Sequence, residues 1–282
     1  MKIGIDLGGT NYRIGLLDDQ NNVVSLTRRT LETKKGKDII HNIINDLKDI
    51  DMENIKGIGF CAPGHVDPTE CTISNASNIS YEEKIEIGKI FSETFHKPIF
   101  IDNDANCAGL AEATIGAGKD KEAVYYITIS TGIGASYIIK GKIMHGVHGS
   151  LGEIGSCLLN RDPKIRLEKS SAGPAIAQKG REQLNLSSCE EVFDDAKQGN
   201  EISLKIIDET FNNLAFTLAN IVYIADPECF VLGGGISNNF AFFYPILMKH
   251  YAYYAKDAYE TIPILKASLQ ESGVIGAALL IE

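Results

Sequence analysis

The chain has 282 residues, 44% of them hydrophobic, which supplies a sizeable core and suits two modest domains better than one. Twenty-seven basic residues face 37 acidic ones for a formal charge of −10, and no segment concentrates Lys and Arg, which argues against a nucleic-acid partner. No apolar run approaches the roughly 20 residues of a membrane span, and no charged leader precedes MKIGIDLGGT, so the expectation is a cytoplasmic protein without a membrane partner.

In chain order, KIGIDLGG, YRIGLLD and NNVVSLTRRTLE read as an antiparallel meander of three strands, with reverse-turn residues from Asp18 to Asn22. Ile39, Ile40, Ile43, Ile44 and Leu47 then recur at helical spacing within 37–50, and the strand IKGIGFCAP follows. A helix is predicted over 81–96, a buried strand at PIFIDND, and a further helix from Ala105 to Thr114. After Gly116-Ala117-Gly118 the pattern restarts with AVYYITIS, a glycine turn and GASYIIKGKIM, loosely echoing the first hairpin. Later elements are a helix around 202–224, the strand ECFVLGGG, a helix over about 239–254 and a terminal helix from about Gly273. Two units of similar order, each offering a glycine hairpin, suit two domains that face one ligand.

Six cysteines (Cys61, Cys71, Cys107, Cys157, Cys189, Cys229) form no CxxC or CxC pair, so neither a disulfide framework nor a zinc cluster is suggested; most read as small core residues. His145 and His148 lack the companions a tetrahedral metal site needs.

The chemistry-bearing stretches are glycine-rich. In DLGGTN, Gly8 and Gly9 let backbone N–H groups and the Thr10 hydroxyl approach an anion, and Asp6 could hold a hydrated Mg²⁺; the same residues equally suit a tight turn. STGIGA offers Ser130 and Thr131 hydroxyls before Gly132 and Gly134, donors without charge that also suit a plain hairpin. Gly233, Gly234 and Gly235 end a buried strand and leave room for a base or ribose, or form an ordinary strand-to-helix turn. Neither a P-loop nor a Rossmann GxGxxG turn is present on the first strand. In FIDNDANC, Asp104 at a strand end opening a helix is a candidate general base or a helix cap. Glu153 in GSLGEIGS and Glu168 in RLEKSSAG are loop carboxylates, each a weak candidate singly.

Together DLGGTN, APGHVD, NDANCAGLAE, STGIGA, HGSLGEIG and DPECFVLGGGIS, in that order from Ile3 to about Ala278, resemble the ROK family of bacterial sugar kinases, within the actin-like ATPase and hexokinase superfamily. The resemblance implies an α/β protein of two actin-like (ribonuclease H-like) domains with a hinged interdomain cleft, one over 1–115 and one over 116–282. The last helix, about 273–282, would pack back on the N-terminal lobe. It implies ATP-dependent transfer to a hexose hydroxyl, the 6-OH of a glucose-like sugar first, with N-acetylmannosamine, fructose and allose open. ATP with Mg²⁺ is the implied cofactor, Asp6 lying at the metal. Asp104 becomes the base, and Asn103, Asp104, Glu153, Glu168 and Asn78 the sugar ligands. Asp6, Gly8, Gly9, Thr10 and Asn11 become the first phosphate loop, Thr131, Gly132 and Gly134 the second, and Gly233 to Gly235 the adenosine side. Asp102 falls outside the matched pattern and reads as an expendable strand-end or turn residue.

One departure bears on metal and substrate. Many members carry a His after GEIG and a Cys-rich loop that bind zinc; here Ser156 stands at that His and only Cys157 remains, so zinc is not expected. Segment 156–168 is then expected to be held by packing. The resemblance also implies a homodimer through the C-terminal lobe, to which AFFYPILMKHYAYYA (241–255) could give apolar area, although the same stretch suits a core helix. The family's repressors carry a DNA-binding module ahead of the first loop, which here begins at Asp6. A sugar sensor without turnover is the alternative of another class, and Asp104 with both loops speaks against it.

Overall fold

The computed structural model describes the chain apart from residues 77, 78, 82, 259 and 282, so Asn78 lies outside the described residues. The chain forms two compact units, Met1–Ala111 with Leu269–Glu282, and Glu112–Ser268.

In the first unit, β1 (Lys2–Leu7), β2 (Asn11–Leu17) and β3 (Val23–Thr30) make the antiparallel meander. Helix α1 (Gly36–Leu47) returns the chain to β4 (Ile58–Ala62), and a small hairpin, β5 (His65–Asp67) with β6 (Thr72–Ser74), precedes α2 (Ile87–Phe95). Strand β7 (Ile99–Asn103) runs directly into α3 (Asp104–Thr114). The sheet order is β3-β2-β1-β4-β7, with β1, β4 and β7 parallel. Apolar spacing places Ile39, Ile40, Ile43 and Leu47 of α1 in one core with Ile3, Ile5, Phe60 and Phe91. Helix α2 starts later than its sequence suggests, at Ile87, because Ile85 is first used to pair with Ile73 of β6.

The C-terminal helix, Ser272–Leu279, packs on this sheet through glycines. A Cβ on Gly4 would stand 2.1 Å from the Val274 carbonyl oxygen and one on Gly59 1.7 Å from that of Ala277, so helix and strands approach closer than any side chain allows.

The second unit has a sheet of order β10-β9-β8-β11-β12. It is built from β8 (Ala123–Ile129), β9 (Ile133–Ile139), β10 (Lys142–Met144), β11 (Cys229–Gly233) and β12 (Ile264–Lys266). Three helices that the sequence pattern left unassigned, α4 (Leu167–Ser171), α5 (Gly173–Leu184) and α6 (Cys189–Lys197), precede α7 (Glu201–Ala225) and α8 (Phe240–Tyr254). Phe243, Leu247 and Tyr251 put α8 in the core beside Phe211, while Tyr253, Tyr223 and Ile224 stay exposed.

The units divide inside α3, between Ala111 and Glu112, rather than between 115 and 116. The reason is Glu112, fully buried, whose carboxylate accepts the Ala117 N–H at 2.8 Å and the Ser268 N–H at 3.0 and 3.1 Å and so ties the end of α3 to the second unit. Cys61, Cys107 and Cys229 are buried, Cys71 and Cys189 are half-buried against the two cores, and Cys157 is exposed. Among the described residues no helix is long and apolar enough to cross a membrane.

Candidate active site

Two neighbouring segments of the first unit hold its candidate residues. Asp6 lies on β1 opposite Arg13, and Arg13 Nη1 donates to Asp6 Oδ2 at 3.1 Å while the Cys61 thiol reaches Oδ1 at 3.5 Å. Burial pushes the Asp6 carboxyl above the usual range, and Arg13 opposes that rise. The guanidinium is shared: its Nε lies 3.6 Å from Glu271, which also pairs with Arg28. Beyond Asp6, the Gly8 N–H donates to the Asn11 carbonyl at 2.9 Å and closes the turn, leaving Gly9 and the exposed Thr10 at its tip. Asn11 Nδ2 donates to Thr10 Oγ1 at 3.2 Å, which orients that hydroxyl. The Lys34 ammonium sits on the Gly9 carbonyl, brought there because β3 pairs Thr30 with Asn11 and leads residues 31–34 past the loop. Sequence reasoning missed Lys34, since no local motif marks it.

At the β7–α3 junction the roles divide differently from the sequence pattern. The helix is capped by Asn103, whose Oδ1 accepts the Asn106 N–H at 2.7 Å. Asp104 is exposed, with Oδ1 on the adjacent Ala105 N–H at 2.8 Å. Asn103 thus spends its side-chain oxygen on the helix. Asp102 is not an expendable turn residue: it is 3% exposed, and its Oδ1 accepts Asn106 Nδ2 at 2.7 Å and the Asn103 N–H at 2.8 Å. The alternation of β7 sends Asp102 inward, where a carboxylate survives only when hydrogen-bonded.

In the second unit the β8–β9 bend is held at both ends. The Gly173 N–H donates to the Ser130 carbonyl at 2.8 Å, and Glu168 Oε2 accepts the Ile133 N–H at 2.9 Å. Next to it opens a cavity of about 390 Å³, lined by Ser130 and Thr131 from the bend, Pro174 and Ala177 from α5, Cys189 and Phe193 from α6, and Gly235, Ile236, Asn238 and Asn239 after β11. The lining mixes apolar side chains with hydroxyls, amides and the Glu190 carboxylate, a combination that suits a flat heterocycle carrying a polar tail. The three glycines after β11 separate in role. A Cβ on Gly233 would stand 2.3 Å from the Tyr126 hydroxyl, and Gly234 has φ +80° with its Cβ position 2.4 Å from the Ile129 carbonyl, so both serve packing on β8. Gly235 lines the cavity, 3.7 Å from Ser130 Oγ by the same measure. The walls from α5 and α6 escaped sequence reasoning, which carried no motif there. Gly134 pairs with Thr128 in the hairpin.

Glu153 and Ser156 are exposed on a short turn joined to β9 by the bond from the Ala135 N–H to the Gly152 carbonyl, 3.0 Å. Segment 156–168 is held by packing only in part: Leu167 is fully buried in the second unit's core and Leu159 packs against it, while Leu158 and Ile165 are 47% and 38% exposed. It is closed by backbone bonds, Leu159 N–H to Ile165 carbonyl and Leu167 N–H to Cys157 carbonyl, both 3.0 Å, and by Arg166 Nη1 donating to the Ser156 carbonyl at 2.6 Å. Among the described residues no three His, Cys, Asp or Glu side chains gather as a metal site. A Mg²⁺ carried on nucleotide phosphates needs one or two protein carboxylates, and Asp6 fits that lesser role through water, its charge partly engaged by Arg13.

The ROK family model matches residues 2–282. The chain belongs to the ROK family. This ROK protein is 34% identical to an uncharacterized protein of Clostridium perfringens over 97% of the chain and 95% of that relative. It is 26% identical to a glucokinase of Thermotoga maritima, over 99% and 96%. Among solved structures, the ROK hexokinase from Thermus thermophilus superposes with a TM-score of 0.89 at 28% identity, covering 99% of this chain and 97% of that one. The two mixed sheets are therefore the two halves of the actin-like ATPase fold of ROK sugar kinases.

Proposed function

We propose that this ROK protein is a sugar kinase that transfers the γ-phosphate of ATP to a hexose hydroxyl. The observation that carries the reading is the cavity in which Pro174, Ala177, Phe193 and Ile236 join the Ser130–Thr131 bend, whose hydroxyls can take a nucleotide's phosphates without a fixed positive charge. Asp104, exposed at the start of α3, is the general base that takes the sugar hydroxyl proton, and Asn103 donates to a neighbouring hydroxyl. Glu153 and Glu168 accept from other sugar hydroxyls. Gly9, Thr10, Asn11 and Lys34 receive phosphate oxygens on the first unit, with the Gly8 N–H closing the turn beneath them. Mg²⁺, when bound with the nucleotide, neutralises phosphate charge, and Asp6 would hold it through water.

The 6-OH of a glucose-like sugar is the first acceptor, with N-acetylmannosamine, fructose and allose as alternatives that turn on Ser156, which offers a hydroxyl where an imidazole is common in the family. A site built around one polar group discriminates by orders of magnitude against substrates lacking its partner. We assign homodimerisation to the exposed Tyr223, Ile224 and Tyr253 of the second unit. Coupled ADP-release assays over hexoses and N-acetylhexosamines test the kinase: turnover with at least one is expected. Sugar binding without turnover on any would establish the sensor instead.

A further inference from the structure

One carboxylate in the second unit joins the segment assigned to the sugar to the bend assigned to the phosphates. Glu168 Oε2 accepts the N–H of Ile133, which follows the bend, at 2.9 Å. A Cβ on Gly132 would stand 2.7 Å from that oxygen and one on Gly155 3.2 Å from it, so glycines of both loops clear the space the carboxylate fills. The Gly155 position is also 2.4 Å from the Ile133 carbonyl, which locks the GEIG turn against the same residue. Five residues after Glu168, the Gly173 N–H holds the other side of the bend through Ser130. The bend is therefore fixed at Ser130 and at Ile133 by one short stretch of chain.

We propose that Glu168 is a positioning residue for the nucleotide's phosphate bend, so that a carboxylate serving the sugar also sets nucleotide affinity. The proposal rests on the kinase reading for its ligands. With Oε2 committed to Ile133, Oε1 is the oxygen that accepts from a sugar hydroxyl. Sugar and nucleotide then act on one side chain, and each alters the affinity of the other by the same factor. Neutralising Glu168 while keeping an acceptor separates the two duties, because the bond from Ile133 needs only an oxygen and the sugar hydroxyls benefit from its charge.

The experiment titrates a fluorescent ADP analogue with Mg²⁺ into wild type, Glu168→Ala and Glu168→Gln without sugar, then measures KM for sugar and ATP. Glu168→Ala should weaken nucleotide binding about tenfold, the loss of one charge-assisted hydrogen bond. Glu168→Gln should hold nucleotide affinity within about threefold of wild type, with the sugar KM raised in both. Wild-type nucleotide affinity in Glu168→Ala, or equal losses in both variants, would overturn the proposal. If Glu168→Ala does not fold, Gly132→Ala reads the same coupling by crowding Oε2: both nucleotide Kd and sugar KM should rise, and an unchanged sugar KM would overturn it. A wild type that turns over no sugar but keeps the nucleotide pattern counts against the kinase reading alone. Turnover with no nucleotide effect counts against this proposal alone.

Discussion

The two glycine bends share a design and differ in what surrounds them. The bend at Gly8–Asn11 is set among charges, with Asp6 and Arg13 at its base and Lys34 on the Gly9 carbonyl. The bend at Ser130–Gly132 is held by backbone N–H groups, one carboxylate from outside and a helix start, with hydroxyls and no cation among the lining residues of its cavity. On the proposed reading, two glycine-rich hairpins that each keep a hydroxyl would bind phosphate in two ways. In one, mobile cations add a field that salt screens; in the other, fixed dipoles act at contact distance and escape screening.

Four changes would break or sharpen that contrast. The largest effect is expected from Asp104→Asn: kcat should fall roughly a hundredfold or more while nucleotide binding stays unchanged, because on the proposed reading Asp104 takes the hydroxyl proton and holds no part of the nucleotide. Steady-state kinetics beside nucleotide titration check it, and unaltered kcat would remove the assigned base. Next, Thr131→Val should raise the KM for ATP about tenfold, the loss of a hydroxyl donor to a charged oxygen, with the same ratio at low and high salt. Lys34→Ala should raise it only about fivefold at low salt, and the deficit should shrink as salt approaches roughly 0.5 M. If the two variants show the same salt dependence, the distinction between the bends fails.

The smallest effect concerns pH. Burial holds the Asp6 carboxyl above its usual range against the pull of Arg13. The folded state therefore keeps a proton that the unfolded chain releases earlier. The stability this provides is fully present below the unfolded pKa and is lost as pH rises through the higher folded value. Melting curves from pH 3 upward should show that loss in wild type and a flatter profile in Asp6→Asn. A profile unchanged by the substitution would mean that Asp6 titrates as it does in the unfolded chain.

Much of the fold could be read before any coordinates. The meander, α1, the strand-to-helix step at 99–104 and the long helix α7 follow from alternation, helical spacing and turn residues, all local. Helices α5 and α6 could not be read with the same ease, because α5 buries only Ile176, Ala177 and Gly180 on its length and its apolar face is narrow. The candidate site was legible as motifs but not as roles. Asn103, taken as a sugar ligand, also caps α3, and Asp102, taken as expendable, is the buried acceptor beneath it. The short segment after Ser156 shows the same limit. Its closure by Arg166 and a backbone ladder depends on partners that no local motif marks.

By itself the sequence determined the order of glycine bends, the Asp-Asn-Asp junction and the family, because each resides in a handful of contiguous residues whose backbone freedom or hydrogen-bonding groups act locally. Tertiary structure alone decided that Lys34 reaches Gly9, that Glu168 braces Ile133 across 35 residues of chain, and that Gly233 and Gly234 serve packing while Gly235 lines the cavity. Those depend on which strands pair and in what register, a choice set by burial of the whole sheet that no short stretch contains.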